Sequence, residues 1–256
     1  MRWCMSEKQG FKRITELVMP TGRHHIAIIG GGPSLNETYK EAAKFTTSMS
    51  CGSTHDHVIR LGIKPTYHLE CDPAIAQLKN YKEKCPSIKY LVSSRCHRGM
   101  FKNMRDKGNE IYLWHMWEAT LGKPIYKGEP AFICGATCVL SAIPIALTLG
   151  YKHLHFFGFD SSFVSRDQHH AYSQAENATM MKVRVGHPET GREFDTTATW
   201  IGQAQQFEDM RNHWPMEVSI YGDSLTSEME KERILDIERR KKTDSLNQTK
   251  LEGVAA

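Results

Sequence analysis

Ala27-Ile28-Ile29-Gly30-Gly31-Gly32-Pro33-Ser34-Leu35-Asn36-Glu37 is the stretch on which the reading of this chain turns. An apolar run over 25–29 has the composition of a buried strand, and three glycines then turn the chain sharply. Ser34 stands three residues before Glu37, the spacing of a capping box that opens a helix. Glycines let backbone approach a ligand closely, and a helix start presents unpaired N–H groups to negative charge. The segment therefore predicts a strand, a turn able to hold a phosphate at Gly30, Gly31, Gly32, Pro33 and Ser34, and a helix over 34–45. It is neither Gly-x-Gly-x-x-Gly nor a P-loop, which would end in Gly-Lys-Ser/Thr.

Outward from that turn, strands and helices alternate at short spacing. Strands are expected over 46–51, 66–71, 88–92, 110–114, 153–157 and 216–221, and helices over 54–61, 74–83, 98–107, 136–149, 200–214 and 225–242. Such alternation is the signature of a mostly parallel sheet covered on both faces. The expected class is α/β, Rossmann-like, with a long lid loop over 161–199, where the chain is polar and without period. The domain reading is an arm over 1–22, a Rossmann-like α/β domain over 23–224, and a charged helix with a frayed tail over 225–256.

The totals agree with one soluble α/β unit. The chain has 256 residues, 40% hydrophobic and 24% charged, with a net charge of +4. That balance suits an anionic ligand but does not imply nucleic acid. Seven cysteines form no Cys-x-x-Cys pair, which points to reduced thiols and a cytoplasmic location. Residues 131–150 carry no charge and are long enough to span a bilayer. Pro144 and a following strand favour a buried helix instead, and no membrane span is expected. A homo-oligomer is compatible with the sequence, which leaves the oligomeric state open.

In open parallel sheets, ligands bind beyond the carboxyl ends of the strands, where strand order reverses. The residues after several strands should therefore converge: the Gly-rich turn, Asp72-Pro73, Trp114-His115 and Asp160-Ser161-Ser162. Asp72 could equally be a helix cap before Pro73. Cys134, Gly135, Ala136 and Thr137 open the buried helix and permit a second close backbone approach, or else close packing on the sheet. His169-His170-Ala171-Tyr172, with Gln174 and Asn177, is the densest set of proton-transfer groups. Imidazole is the usual base near neutral pH, and a Tyr can donate to a leaving oxygen. His170, Tyr172 and Asp160 are the catalytic candidates. His55 and His57 read as surface residues or, at most, ribose contacts.

These segments together resemble a known superfamily. The 28–35 turn looks like the Gly-x-Gly-Pro-Ser-Leu turn shared by bacterial sialyltransferases of glycosyltransferase family 42 and the 6-hydroxymethylpterin diphosphokinase MptE-like family, to which the motility accessory factors are related. Ile133 to Thr137, Ala146 to Tyr151 and Gly158-Phe159-Asp160 are similar to a second shared segment, and His170-Ala171-Tyr172 to a third. The resemblance implies a nucleotide or nucleotide-sugar donor near 30–34, Asp72, Cys134 to Thr137 and Ser161, and a hydroxyl acceptor. The sialyltransferases carry Asn at the place of Asp72, and their catalytic His precedes the helix that starts here near Trp200. This chain has 195–199 Asp-Thr-Thr-Ala-Thr there, so His170 is the substitute candidate. The activity expected is glycosyl transfer. The alternatives are a diphosphokinase, with Mg2+ held by Asp72 and Asp160, and an inert nucleotide-binding or assembly protein.

Overall fold

A computed structural model describes residues 10–17, 24–117, 126, 128–165, 168–174, 180–186 and 190–254, with side chains through 243. The strands are β1 (Lys12–Arg13), β2 (His25–Ile29), β3 (Ser48–Cys51), β4 (Tyr67–Glu70), β5 (Lys89–Ser93), β6 (Glu110–Met116), β7 (Ala131–Phe132), β8 (His153–Phe157), β9 (Lys182–Gly186), β10 (Glu193–Thr197) and β11 (Glu217–Tyr221). The α-helices are α1 (Leu35–Ala42), α2 (His55–Arg60), α3 (Arg98–Asp106), α4 (Cys138–Thr148), α5 (Ala198–His213) and α6 (Leu225–Val254).

Nine strands form one sheet in the order β1-β6-β5-β4-β3-β2-β8-β11, with β7 added beside β6. Every pairing in it is parallel. The α/β, Rossmann-like reading is therefore the observed fold. From β2 the chain steps outward through β3, β4 and β5 to β6, then returns to lay β8 on the other side of β2. Strand order reverses between β2 and β8.

The central strands are buried on both faces, as a parallel sheet requires. Ile26 and Ile28 join one core with Leu154, Phe156, Phe207 and the apolar residues of α4. Ala27 and Ile29 point the other way, into a core with Leu35, Ala42, Val58 and Phe157. A third core forms around β5, β6 and α3. The charge-free stretch is accounted for by α4, in which eight of eleven residues are buried. Among the described residues, no helix is long and apolar enough to cross a membrane.

Several sequence expectations need correction. The polar stretch over 161–199 is not irregular throughout, because β9 and β10 pair as an antiparallel ribbon. The helix expected over 74–83 is a 3-10 helix, Ile75–Asn80, with the Asp72 carboxylate accepting from the Ala74 N–H at its start. The 1–22 arm contributes β1 to the sheet edge, and Ile14 and Leu17 enter the main core. The tail expected to fray from 244 continues as helix to Val254.

Candidate active site

The reversal between β2 and β8 brings two glycines together. Gly30 donates its N–H to Phe157 O and Gly32 to Gly158 O, each at 2.8 Å. A Cβ on Gly30 would lie 2.5 Å from Gly158 O, and one on Gly158 would lie 2.6 Å from Gly30 O. Gly158 also has φ +59°, which a side chain would strain. Only glycine fits either position. Above this contact opens a cleft of about 640 Å3. Its walls come from the ends of β2, β3, β4, β6 and β8, from the start of α4 and from the 168–174 segment. This is where a doubly wound sheet places its ligand.

Within the turn, the sequence reading is corrected. Ser34 has helical torsions and makes no capping bond to its own helix. Its hydroxyl donates to Asp160 Oδ1 at 2.5 Å, and its backbone N–H to Asp160 Oδ2 at 2.7 Å. A carboxylate from 126 residues away thus holds the helix start, where the capping box placed Glu37 and the anion reading placed a phosphate. The N–H groups of Gly30, Gly32 and Ser34 all have protein partners, so this turn does not hold a phosphate by those donors. Gly31 and Gly32 remain on the wall of the cleft.

Asp160 is 3% exposed. Burial pushes its carboxyl up to about 6, against the pull of the two Ser34 bonds. An unfolded Asp titrates near 3.9, so the folded state holds this proton more tightly. The contribution of this one group to stability is then greatest below pH ~4 and is lost as pH rises through ~6, by about 3 kcal/mol in all. Ser34→Ala removes the hydroxyl that lowers this value, and carboxyl NMR should find Asp160 titrating above 6 in that variant. An Asp160 that titrates near 4 in either protein would contradict the assignment.

His170 and Tyr172 lie directly against the turn. Ala171 N–H donates to Gly31 O at 2.9 Å, and Asn36 Nδ2 to Ala171 O at 3.0 Å. A Cβ on Gly31 would lie 2.6 Å from the Tyr172 hydroxyl and 3.0 Å from His170 Cδ2. The Tyr172 hydroxyl pairs with Ser53 Oγ at 2.6 Å, and burial raises it well above its ordinary value, so it stays protonated. Burial, then the neighbouring His169, lowers His170 to about 4, which leaves the imidazole neutral at pH 7. His170 Nδ1, Ser161 Oγ and Gln174 Oε1 are buried without a hydrogen-bond partner among the described residues. All three residues line the cleft. Ser161 also has φ +50°, and it is the one non-glycine with positive φ among the described residues; such outliers gather at functional sites. Asn177 lies outside the described residues.

Cys134, Gly135, Ala136 and Thr137 reach the site unevenly. Gly135, Ala136 and Thr137 line the cleft. Thr137 Oγ1 caps α4 by accepting from Leu140 N–H, and Gln206 Oε1 accepts from Ala136 N–H. A Cβ on Gly135 would lie 2.4 Å from Leu140 Cβ, so close packing explains this glycine. Asp72 also lines the cleft, with both oxygens accepting, from Ala74 N–H and Gln77 Nε2. His115 is not at the site: β6 runs on to Met116, and His115 is bound by Ser94 and Glu129. His55 is not a surface residue but 1% exposed, held between Asp56 and Tyr90.

Residues 5–166 match the profile of the family described as 6-hydroxymethylpterin diphosphokinase MptE-like, well over half of the chain. The chain belongs to this family. Its fold is similar to that of a MAf glycosyltransferase from Magnetospirillum magneticum AMB-1, with a TM-score of 0.58 and 15% identity. The likeness covers 87% of this chain and 38% of that one, so this chain spans well under half the length of that enzyme. No curated protein matches the sequence.

Two residues of this family member were not singled out from its sequence. Glu70, the last residue of β4, is fully buried and lines the cleft. It accepts from the N–H groups of Cys71 and Asp72 and pairs with the Tyr81 hydroxyl, while burial raises its carboxyl. Arg95 is the only Arg or Lys that lines the cleft among the described residues. The Ser-Ser-Arg-Cys turn after β5 was the signal available, since it too follows a strand end.

Proposed function

We propose that this chain is a transferase that binds a nucleotide-activated donor in the cleft between β2 and β8 and passes the activated group to a hydroxyl acceptor. One observation carries the reading. Buried polar atoms without partners among the described residues, on Ser161, His170 and Gln174, gather around one cleft at the strand-order reversal. A native protein rarely leaves such atoms unmet, and a polar ligand would meet them.

The roles follow from the chemistry of each group. His170, neutral at pH 7, accepts the proton of the acceptor hydroxyl as it attacks the activated carbon or phosphorus. The bond from that atom to the nucleotide phosphate oxygen breaks, and the negative charge that develops there is met by the Tyr172 O–H and by Arg95. Asp160 braces the Gly-rich turn through Ser34 and does not itself move a proton in this scheme.

Glycosyl transfer is the first reading of the donor. Both oxygens of Asp72 and of Asp160 already accept hydrogen bonds from the protein, so these carboxylates have structural work without a metal. Diphosphate transfer from ATP is the second reading. The family description supports it, and so does the lining, which among the described residues carries Glu70, Asp72 and Asp160 and one Arg or Lys, Arg95. Each carboxylate oxygen keeps a second lone pair, so Asp72 and Asp160 fit an ion that takes one or two carboxylates and completes its shell with phosphates and water. Mg2+ there would neutralise phosphate charge.

Thermal denaturation with CMP, CDP, UDP, ADP and ATP, each with Mg2+ and with EDTA, tests the proposal. A nucleotide at 100 times its Kd should stabilise the chain by about 2.7 kcal/mol, and Arg95→Ala should reduce the shift. Stabilisation that survives EDTA favours the sugar donor, and stabilisation by ATP that needs Mg2+ favours diphosphate transfer. If no nucleotide raises Tm under either condition, the proposal is wrong.

A further inference from the structure

At the opposite ends of β2 and β8, about 13 Å along the strands from the Gly-rich turn, three imidazoles meet. His25 opens β2 and His153 opens β8, and the two are register partners. His155, two residues on, points to the same face. The His153 and His155 rings stack at 4.1 Å and 13°, and the His25 ring lies 4.8 Å from one and 5.3 Å from the other. His25 Nδ1 is 3.0 Å from His155 Nε2. One ring nitrogen from each of the three lies within 4.8 Å of the others, and among the described residues no other trio of His, Cys, Asp or Glu is so disposed.

The surroundings are those of a ligand set. Metal-binding histidines usually have their other ring nitrogen held by a second group. Here β11 supplies it: the Tyr221 hydroxyl is 3.1 Å from His155 Nδ1, and Ser219 Oγ is 2.9 Å from His153 Nε2. The Glu217 carboxylate stands 3.3 Å from His153 Nδ1. His25 is exposed, His153 half-buried and His155 buried, so the cluster opens to solvent on one side.

We propose that His25, His153 and His155 bind a late first-row divalent cation, Zn2+ by preference, with water or Glu217 in the fourth position. Imidazole nitrogen suits Zn2+, Cu2+ and Ni2+, and a tetrahedral Zn2+ takes such ligands at about 2.0–2.1 Å. That geometry needs the three nitrogens roughly 3.4 Å apart, and the exposed His25 ring is free to make the adjustment. The ion would tie β2 to β8 and, through Ser219 and Tyr221, both to β11. It would clamp the sheet beneath the cleft, and it is independent of what the cleft binds.

The test uses the full chain without a histidine tag, stripped with chelator. Calorimetry should show one equivalent of Zn2+ bound, with a rise in Tm, and Co2+ should give the intense visible absorption of a tetrahedral site. His25→Asn should weaken Zn2+ by more than the roughly 10–100-fold that loss of an outer partner costs, and should remain folded because His25 is exposed. His153→Asn should act likewise. Absence of stoichiometric binding, or wild-type affinity in both variants, overturns the proposal and leaves a stack of hydrogen-bonded imidazoles.

Discussion

Gly30→Ala is expected to unfold the chain or destabilise it by about 3 kcal/mol or more, whereas Gly31→Ala, one residue on, should fold and lose its activity. The new Cβ at 30 falls 2.5 Å from Gly158 O and 2.9 Å from Val139 Cγ2. The carbonyl belongs to the end of β8 and cannot rotate away, so relief would require β2 and β8 to separate where the sheet is fully buried. Overpacking in such a place costs about 1–3 kcal/mol and sometimes more, and contact with backbone belongs at the upper end. At Gly31 the three nearest atoms are all side-chain atoms, on Tyr172, His170 and Thr54. They can yield, and the fold should lose about 1 kcal/mol or less by the same scale. What yields, however, is the pair of side chains assigned to the chemistry. Urea midpoints, with m unchanged, and turnover should therefore separate the variants in opposite senses. Wild-type stability for Gly30→Ala would show that the two strand ends are not in contact.

The contrast also marks what the sequence could and could not carry. The interior strands of the central sheet lie between turn residues and most are apolar runs, so their existence was legible, and His25–Ile29 and His153–Phe157 were read to the residue. The two-residue strands β1 and β7 carry no such run and were not read. Nor was the ribbon of β9 and β10. Lys-Val-Arg-Val-Gly of β9 alternates exposed with half-buried residues, a strand signal too short to stand out in a polar stretch, and β10 buries Phe194, Thr196 and Thr197. Its pairing is supported across strands by Arg184 against Asp195, which no local pattern encodes. Ser34 shows the same limit at the site. A capping box with Glu37 is the best local reading of Ser-Leu-Asn-Glu, yet Asp160 meets both the Ser34 N–H and its hydroxyl. The strand-end rule placed Asp160 and the Gly-rich turn at one rim, and the fold does bring them together. It could not say that the carboxylate would occupy the anion's place. Glu70 escaped notice because β4 is buried along its whole length, so no alternation marks which side chain faces the cleft.

His170→Ala should lower turnover at saturating donor by about a hundredfold or more, the usual contribution of a general base. The fold should lose only ring packing against His169 and Tyr172, because Nδ1 has no partner to lose among the described residues. Donor affinity should fall as well. The sequence placed His170 on a long lid loop, but the structure packs it on Gly31, in the wall that the donor would touch. The pH profile distinguishes this base from its neighbour. With its value near 4, free His170 is already in its basic form from pH 5 to 8 and contributes no acid limb there. Asp160, near 6, does titrate in that range. Since kcat/KM reports groups of the free enzyme, a limb near pH 6 that moves when Ser34 is replaced is assigned to Asp160, whose bracing of the turn depends on its charge. That limb should persist in His170→Ala at reduced height, and should move to higher pH in Ser34→Ala. A limb that vanishes with His170 would reverse the two roles, making the imidazole the titrating group. Full turnover in His170→Ala would remove it from the chemistry altogether.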